Sequence, residues 1–154
     1  MKPSSHAIAF TLNGEAVKVY IEAHVLLIDL LRNSFAMNGV KRSCNMEVCG
    51  ACTVLVDEQP VSSCTMLAVD VDGTAVLTIE GMGDPENLDP IQKAFIEHGA
   101  VQCGFCTPGF ILATKALLRV NPKPSREEIV HQLNGNICRC TGYKKIIEAV
   151  QSLV

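Results

Sequence analysis

Residues 101–109 read VQCGFCTPG. Cys103 and Cys106 stand directly before Thr107-Pro108, a pair suited to a helix start. A threonine oxygen accepts a hydrogen bond from a free helix N–H, and proline fits the first helical turn. Residues 136–143, NICRCTGY, repeat the arrangement, with Cys138 and Cys140 followed by Thr141 as the expected cap. Thiolates are metal ligands, and helix starts carry partial positive charge. Two such starts converging on four thiolates favour an anionic metal–sulfur centre.

Around these stretches the chain reads as helical. Asp89-Pro90 with Gln92 makes a capping-box start, with Ile91, Ala94 and Phe95 as the apolar face and Gly99 as the stop. Phe110, Ile111, Thr114, Leu117 and Leu118 mark a second helix ending before Pro122-Lys123-Pro124. Ser125 with Glu128 opens a third, carrying Ile129, Val130 and Leu133, and Asn134-Gly135 closes it. Tyr143, Ile146, Ile147 and Val150 mark a fourth. The pattern helix, glycine, cysteine pair, threonine, helix occurs twice. Two helix pairs about an approximate twofold axis are therefore expected to gather Cys103, Cys106, Cys138 and Cys140.

Upstream, Gly81 to Pro90 (GMGDPENLDP) reads as a linker, and the residues before it form a different unit. Ala7–Leu12 and Val17–Ile21 alternate as strands around Asn13-Gly14, a two-residue hairpin signal. A helix is expected from Val25 to Asn33, with Leu27/Leu31 and Leu26/Leu30 four apart. An irregular stretch holds Cys44, Cys49 and Cys52, with Gly50 letting the backbone close around a bound group. Cys52–Val56 is strand-like, Asp57–Pro60 a turn, Cys64 opens a further ordered segment, Asp72-Gly73 is a turn, and Ala75–Ile79 a last strand. The fold class expected is α+β, with units at residues 1–82 and 83–154.

Eight cysteines in 154 residues form two sets of four with none left over. In a reducing cytosol such sets bind metal or do redox chemistry rather than form disulfides. The N-terminal segment MKPSSHAIAF shows no export signal, so a cytoplasmic chain is expected. Apolar runs such as Val25–Ile28 are far too short to cross a bilayer. Net charge is −3 with Lys and Arg scattered, so no basic face advertises nucleic acid. Apolar residues are 48% of the chain, enough for a core and also consistent with a covered partner surface. His6, His24, His98 and His131 lack clustered acids and read as structural or surface residues.

Cys44, Cys49, Cys52 and Cys64 are spaced C-x4-C-x2-C-x11-C. The opening spacing is that of plant-type [2Fe-2S] ferredoxins, whose fourth ligand lies further along. Structural zinc usually takes two short knuckles instead. The second set, C-x2-C-x31-C-x-C, leaves iron–sulfur and zinc both open on spacing alone.

The combination of VCGACTV (48–54), QCGFCTPGF (102–110) and NICRCTGY (136–143) resembles the iron–sulfur subunit of the molybdenum hydroxylases, the xanthine dehydrogenase family, over nearly the whole chain. The resemblance implies a plant-type ferredoxin-like β-grasp domain, then a four-helix [2Fe-2S] domain. It implies two [2Fe-2S] clusters, one on Cys44, Cys49, Cys52 and Cys64, the other on Cys103, Cys106, Cys138 and Cys140. It places the second nearer a molybdopterin on a large subunit and the first nearer FAD on a medium subunit, in a dimer of heterotrimers. Gln102 matches the glutamine that hydrogen-bonds the pterin, and Cys140 the cysteine beside the pterin edge. Many members carry glycine where this chain has Glu47, a carboxylate expected to lower the nearby potential or repel a negative partner. The helix-start cluster is expected to be favoured in its reduced form by dipoles and backbone N–H groups. No residue set offers a molybdenum pocket, flavin site or substrate base, so the chain is expected to carry electrons and do no bond chemistry. The alternatives are delivery to a haem protein, a free-standing ferredoxin, or a zinc-stabilised interaction module.

Overall fold

The computed structural model describes residues 5–154. β1 (Ser5–Leu12) and β2 (Glu15–Glu22) pair antiparallel in register from Ser5–Glu22 to Leu12–Glu15. The tight turn needs two left-handed residues, and Asn13 (φ 52°) and Gly14 (φ 89°) supply them. On β1, Ile8, Phe10 and Leu12 are buried, the period-two pattern of a sheet with one face on a core.

The expected helix starts two residues late. Leu26 is held in a bridge to Leu67, so α1 (Leu27–Asp29) begins after it and runs into a π-helical turn, Leu30–Ser34. Leu27, Ile28, Leu30 and Leu31 are all buried, so this segment is enclosed rather than amphipathic.

β3 (Thr53–Val56) and β4 (Gln59–Ser62) form a second antiparallel hairpin. Residues 57–60 were expected as one turn; only Asp57 and Glu58 turn, both left-handed, and Pro60 lies in β4 opposite Leu55. β4 is an edge strand, where a missing N–H is tolerated. β5 (Ala75–Leu77) is shorter than expected, because Ile79–Gly81 turns into a 3-10 helix. It pairs parallel to β1 and antiparallel to β3, closing the five-stranded order β2-β1-β5-β3-β4.

The helical half follows local signals closely. α2 (Pro90–Glu97) has its full capping box: Asp89 Oδ1 accepts from the Ile91 amide and Gln92 Oε1 from the Asp89 amide, both at 2.9 Å. α3 (Thr107–Val120) is central, with Phe110 to Thr114 buried in an unbroken run. One side packs on β3 and β4 and the other on α2 and α4. α4 (Arg126–Leu133) is boxed by Ser125 and Glu128, and α5 (Lys144–Gln151) closes on α2 and α4. Among the described residues the result is a mixed α/β molecule of one five-stranded sheet and five α-helices.

The two halves have separate cores that meet on the sheet. Leu55 and Met82 belong to the helical core, whereas Val54 and Val56 face the sheet-side core. Where α3 crosses the cysteine loop, the backbones approach closely. A Cβ on Gly109 would stand 2.2 Å from the Gly50 carbonyl oxygen. Overpacking against backbone costs roughly 1–3 kcal/mol. Gly109→Ala is therefore expected to destabilise the protein by about that amount, read as a fall in the denaturant midpoint at constant m-value.

Candidate metal centres

The first cysteine loop is fastened from outside. Arg42 spans Asp29 at the end of α1, at 2.5 Å, and the Asn45 side chain, at 3.0 Å. Behind it, the Lys41 amide donates to the Ala51 carbonyl. Within the loop Asn45, Glu47 and Gly50 all take left-handed backbone, at φ 55°, 59° and 65°. This winding turns successive N–H groups inward: the amides of Met46 and Val48 donate to Cys44 Sγ at 3.5 and 3.4 Å.

These amides, with that of Cys49, hold the Cys44 thiol down at about 6. Cys52 behaves oppositely. It is buried, and burial followed by the neighbouring Cys64 pushes it up to about 11. Cys44 thus faces Cys49, and Cys52 faces Cys64, which rises from the segment after β4. The Ser63 hydroxyl secures that segment by donating to the Cys52 carbonyl at 2.7 Å.

Glu47 sits at a strained position. Its carboxylate accepts from the Thr65 hydroxyl at 3.3 Å, across the loop, while its backbone adopts a conformation that glycine takes freely. The backbone requirement, hidden in the sequence, explains why glycine suits this place.

The second set is also brought together. Cys103 and Cys140 stand 3.6 Å apart by sulfur, both exposed. Cys106 and Cys138 face each other deeper in; burial, then Cys138, pushes Cys106 up to about 12. Burial also raises Cys138, but hydrogen bonds from the Thr141 hydroxyl (3.0 Å) and amide (3.3 Å) outweigh it and the net shift is downward. Neither threonine caps a helix as expected. Cys106 is the N-cap of α3 with no side-chain bond, and α5 starts only at Lys144. Thr141 serves the sulfur instead.

A cavity of about 230 Å³ is lined by all four of these cysteines together with Cys49 of the first loop. A lining whose metal-ligating side chains are all cysteines suits a soft metal–sulfur group. The walls are apolar and partly open: Phe105 and Ile137 line the cavity and are exposed. Gln102 lies exposed beside Cys103.

The two cysteine loops are joined directly. The Asn136 side chain, buried, donates to the Gly50 carbonyl at 2.9 Å, and the Ile137 amide donates to the Cys49 carbonyl at 2.9 Å. Sequence reading passed over Asn136. Its position two residues before Cys138, between a glycine and an apolar residue, was the only local signal.

The fold lines one cavity with the thiols of Cys103, Cys106, Cys138 and Cys140, and beside the sheet it faces Cys44 to Cys49 and Cys52 to Cys64. Two family models divide the chain between them: a 2Fe-2S iron-sulfur cluster binding domain over residues 10–77 and a [2Fe-2S] binding domain over residues 78–151. The chain is 48% identical over 147 residues to the nicotinate dehydrogenase small FeS subunit of Eubacterium barkeri, covering 96% of this chain and 94% of that one. It is 47% identical over 143 residues to the aldehyde oxidoreductase of Megalodesulfovibrio gigas, covering 91% of this chain but 16% of that one. The quinoline 2-oxidoreductase structure from Pseudomonas putida 86 superposes with a TM-score of 0.92 at 41% identity, over 96% of this chain and 91% of that chain. The chain belongs to the iron–sulfur small-subunit family of the molybdenum hydroxylases, the xanthine dehydrogenase family. Its relatives are subunits or segments of oxidoreductases, and electron transfer is the role that fits.

Two outcomes follow from the loop geometry. In the cluster-free chain at about pH 7, Cys44 is mostly thiolate and Cys106 is thiol, so iodoacetamide should label Cys44 first. Peptide mass spectrometry should find Cys44 labelling slowing as pH falls through about 6 while Cys106 stays unreactive. Glu47→Gly should stabilise the holoprotein by about 1 kcal/mol through relief of left-handed strain, and a lowered denaturant midpoint would contradict this.

Proposed function

We propose that the chain relays single electrons within a molybdenum hydroxylase complex, from a molybdopterin on a large partner subunit to FAD on a medium one. In this reading Cys44, Cys49, Cys52 and Cys64 hold a ferredoxin-like [2Fe-2S] cluster. Cys103, Cys106, Cys138 and Cys140 hold the helical-half cluster. Each cluster, when bound, takes up and releases one electron at a time.

The observation that carries the reading is the contact between the two cysteine loops. Ile137, next to Cys138, bonds Cys49 through a single N–H···O link of 2.9 Å. Two redox groups so joined are at a separation fixed by backbone rather than by mobile side chains. The facing thiols also form four pairs: Cys44 with Cys49, Cys52 with Cys64, Cys103 with Cys140, and Cys106 with Cys138. Two irons per cluster with two protein sulfurs each match this pairing.

The exposed edge of Cys103 and Cys140, with Gln102 beside it, is the proposed side for molybdopterin. Val101, Phe105 and Ile137 are exposed around that edge and supply apolar surface for the large subunit to cover. The finer architecture belongs to the same proposal: a β-grasp unit over 1–82, a helical unit over 83–154 with approximate twofold symmetry, and a cytoplasmic dimer of heterotrimers. Among the described residues, no helix is long and apolar enough to cross a membrane.

Iron and acid-labile sulfide analysis, with EPR after dithionite reduction, tests the reading. About four irons per chain and two distinct [2Fe-2S] signals are expected. Zinc without a reduced signal would end it. Cys106→Ser should alter or remove one signal and leave the other intact, and an unchanged pair of signals would remove Cys106 from the ligand set.

A further inference from the structure

The loop after Cys138 is tied into a closed set of hydrogen bonds. The Thr141 hydroxyl donates to Cys138 Sγ at 3.0 Å, and the Thr141 amide donates to the same sulfur at 3.3 Å. The Tyr143 amide donates to Thr141 Oγ1 at 3.3 Å, and the Cys138 amide donates to the Tyr143 hydroxyl oxygen at 3.0 Å. Tyr143 holds a left-handed backbone at φ 66°, rare for a bulky residue. Its ring packs edge-on against buried Phe110, centroids 6.2 Å apart.

Toward a thiolate or cluster-bound sulfur, which has no proton to give, this arrangement directs the Thr141 proton. A hydroxyl has one proton and accepts through its lone pairs. With the Tyr143 N–H on the acceptor side, the proton is left to point at sulfur. Strain of this kind persists only where surrounding contacts over-determine it. At Tyr143 the contacts are the Phe110 packing and the bond to the Cys138 amide, and what they hold in place is the donor to Cys138.

Hydrogen bonds to cluster sulfurs and the extent of burial set iron–sulfur potentials. One-electron reduction adds one negative charge, shared with the ligand sulfurs, and a fixed donor favours the more negative form. Cys138 is the buried member of its pair, where a charge-assisted bond is stronger than in water. In the other centre, Cys44 receives its donors from the Met46 and Val48 backbone. At Cys138 one donor is a side chain, and so open to substitution.

We propose that Thr141 is a potential-setting residue: its hydroxyl, oriented by the Tyr143 amide, donates to Cys138 Sγ and raises the reduction potential of the helical-half cluster. Thr141 ligates nothing and acts through Cys138. The inference rests on the proposed ligand set of that cluster.

The test is a redox titration of the purified holoprotein followed by EPR, on wild type, Thr141→Ser and Thr141→Val. In Thr141→Val one signal's midpoint should move to lower potential while the other stays in place. Thr141→Ser, which keeps the hydroxyl, should titrate like wild type. Two unmoved midpoints in a Thr141→Val protein that holds both clusters would overturn the proposal, as would a Ser variant shifted as far as Val. Should Thr141→Val lose the cluster, the smaller Thr141→Ala takes its place in the titration. Should that lose it too, proton ENDOR on reduced wild type and Thr141→Ser in H2O and D2O decides. An exchangeable hydroxyl proton coupled to the helical-half cluster, in addition to the amide proton of Thr141, is expected in both, and amide protons alone in wild type overturn the proposal. Failure of the ligand set itself looks different: wild type would then show a single [2Fe-2S] signal before any substitution is made.

Discussion

The carboxamide of Asn136 donating to the carbonyl of Gly50 joins two loops 86 residues apart in sequence, each carrying part of a four-cysteine set. Both groups are buried, so leaving either without a partner would cost on the order of 1–3 kcal/mol. The contact requires that backbone meet backbone. A Cβ on Gly50 would lie 2.4 Å from Asn136 Nδ2 and 2.5 Å from the Gly135 carbonyl oxygen. With Gly109 closing the third side, these residues let the ferredoxin-side loop lie flat on the start of α3. The neighbouring bond from Ile137 to Cys49 depends on the same approach.

Around this junction the thiols are graded. In each set one pair lies deeper: Cys52 and Cys64 are both buried, and Cys106 and Cys138 lie below the exposed Cys103 and Cys140. Burial raises the affinity of a thiol for its proton, so the inner positions need donors or a metal to hold the thiolate form. Cys138 has Thr141, whereas Cys52 and Cys106 stay high, at about 11 and about 12. In the cluster-free chain such groups hold protons, and metal binding must displace them. Cys44, at the surface of its loop among inward-facing amides, is instead prepared as a thiolate.

Much of the fold was legible because its signals are local. The Asn13-Gly14 hairpin and the capping boxes at Asp89/Gln92 and Ser125/Glu128 involve residues at most three apart, where backbone geometry leaves few alternatives. The misread places depend on pairing across strands that the local pattern does not display. α1 starts late because Leu26 pairs with Leu67, and β4 exists because β3 offers an edge to residues including Pro60. Thr107 and Thr141 have the chemistry of caps, but Thr141 found a stronger use beside Cys138.

Donor chemistry is legible in the chain alone: eight cysteines in two sets of four, with a spacing that points to iron–sulfur in the first and a motif combination that points to the family for both. Ligand type and spacing are chain properties, so no folding knowledge was needed to read them. Which thiols face each other, the joining of the loops by Asn136 and two glycines, and the left-handed backbone of Glu47 emerge from packing. Those outcomes come from the docking of α3 and the loop before α5 onto a loop far upstream. Contacts of that range are set by packing the whole core, and no window of sequence contains them.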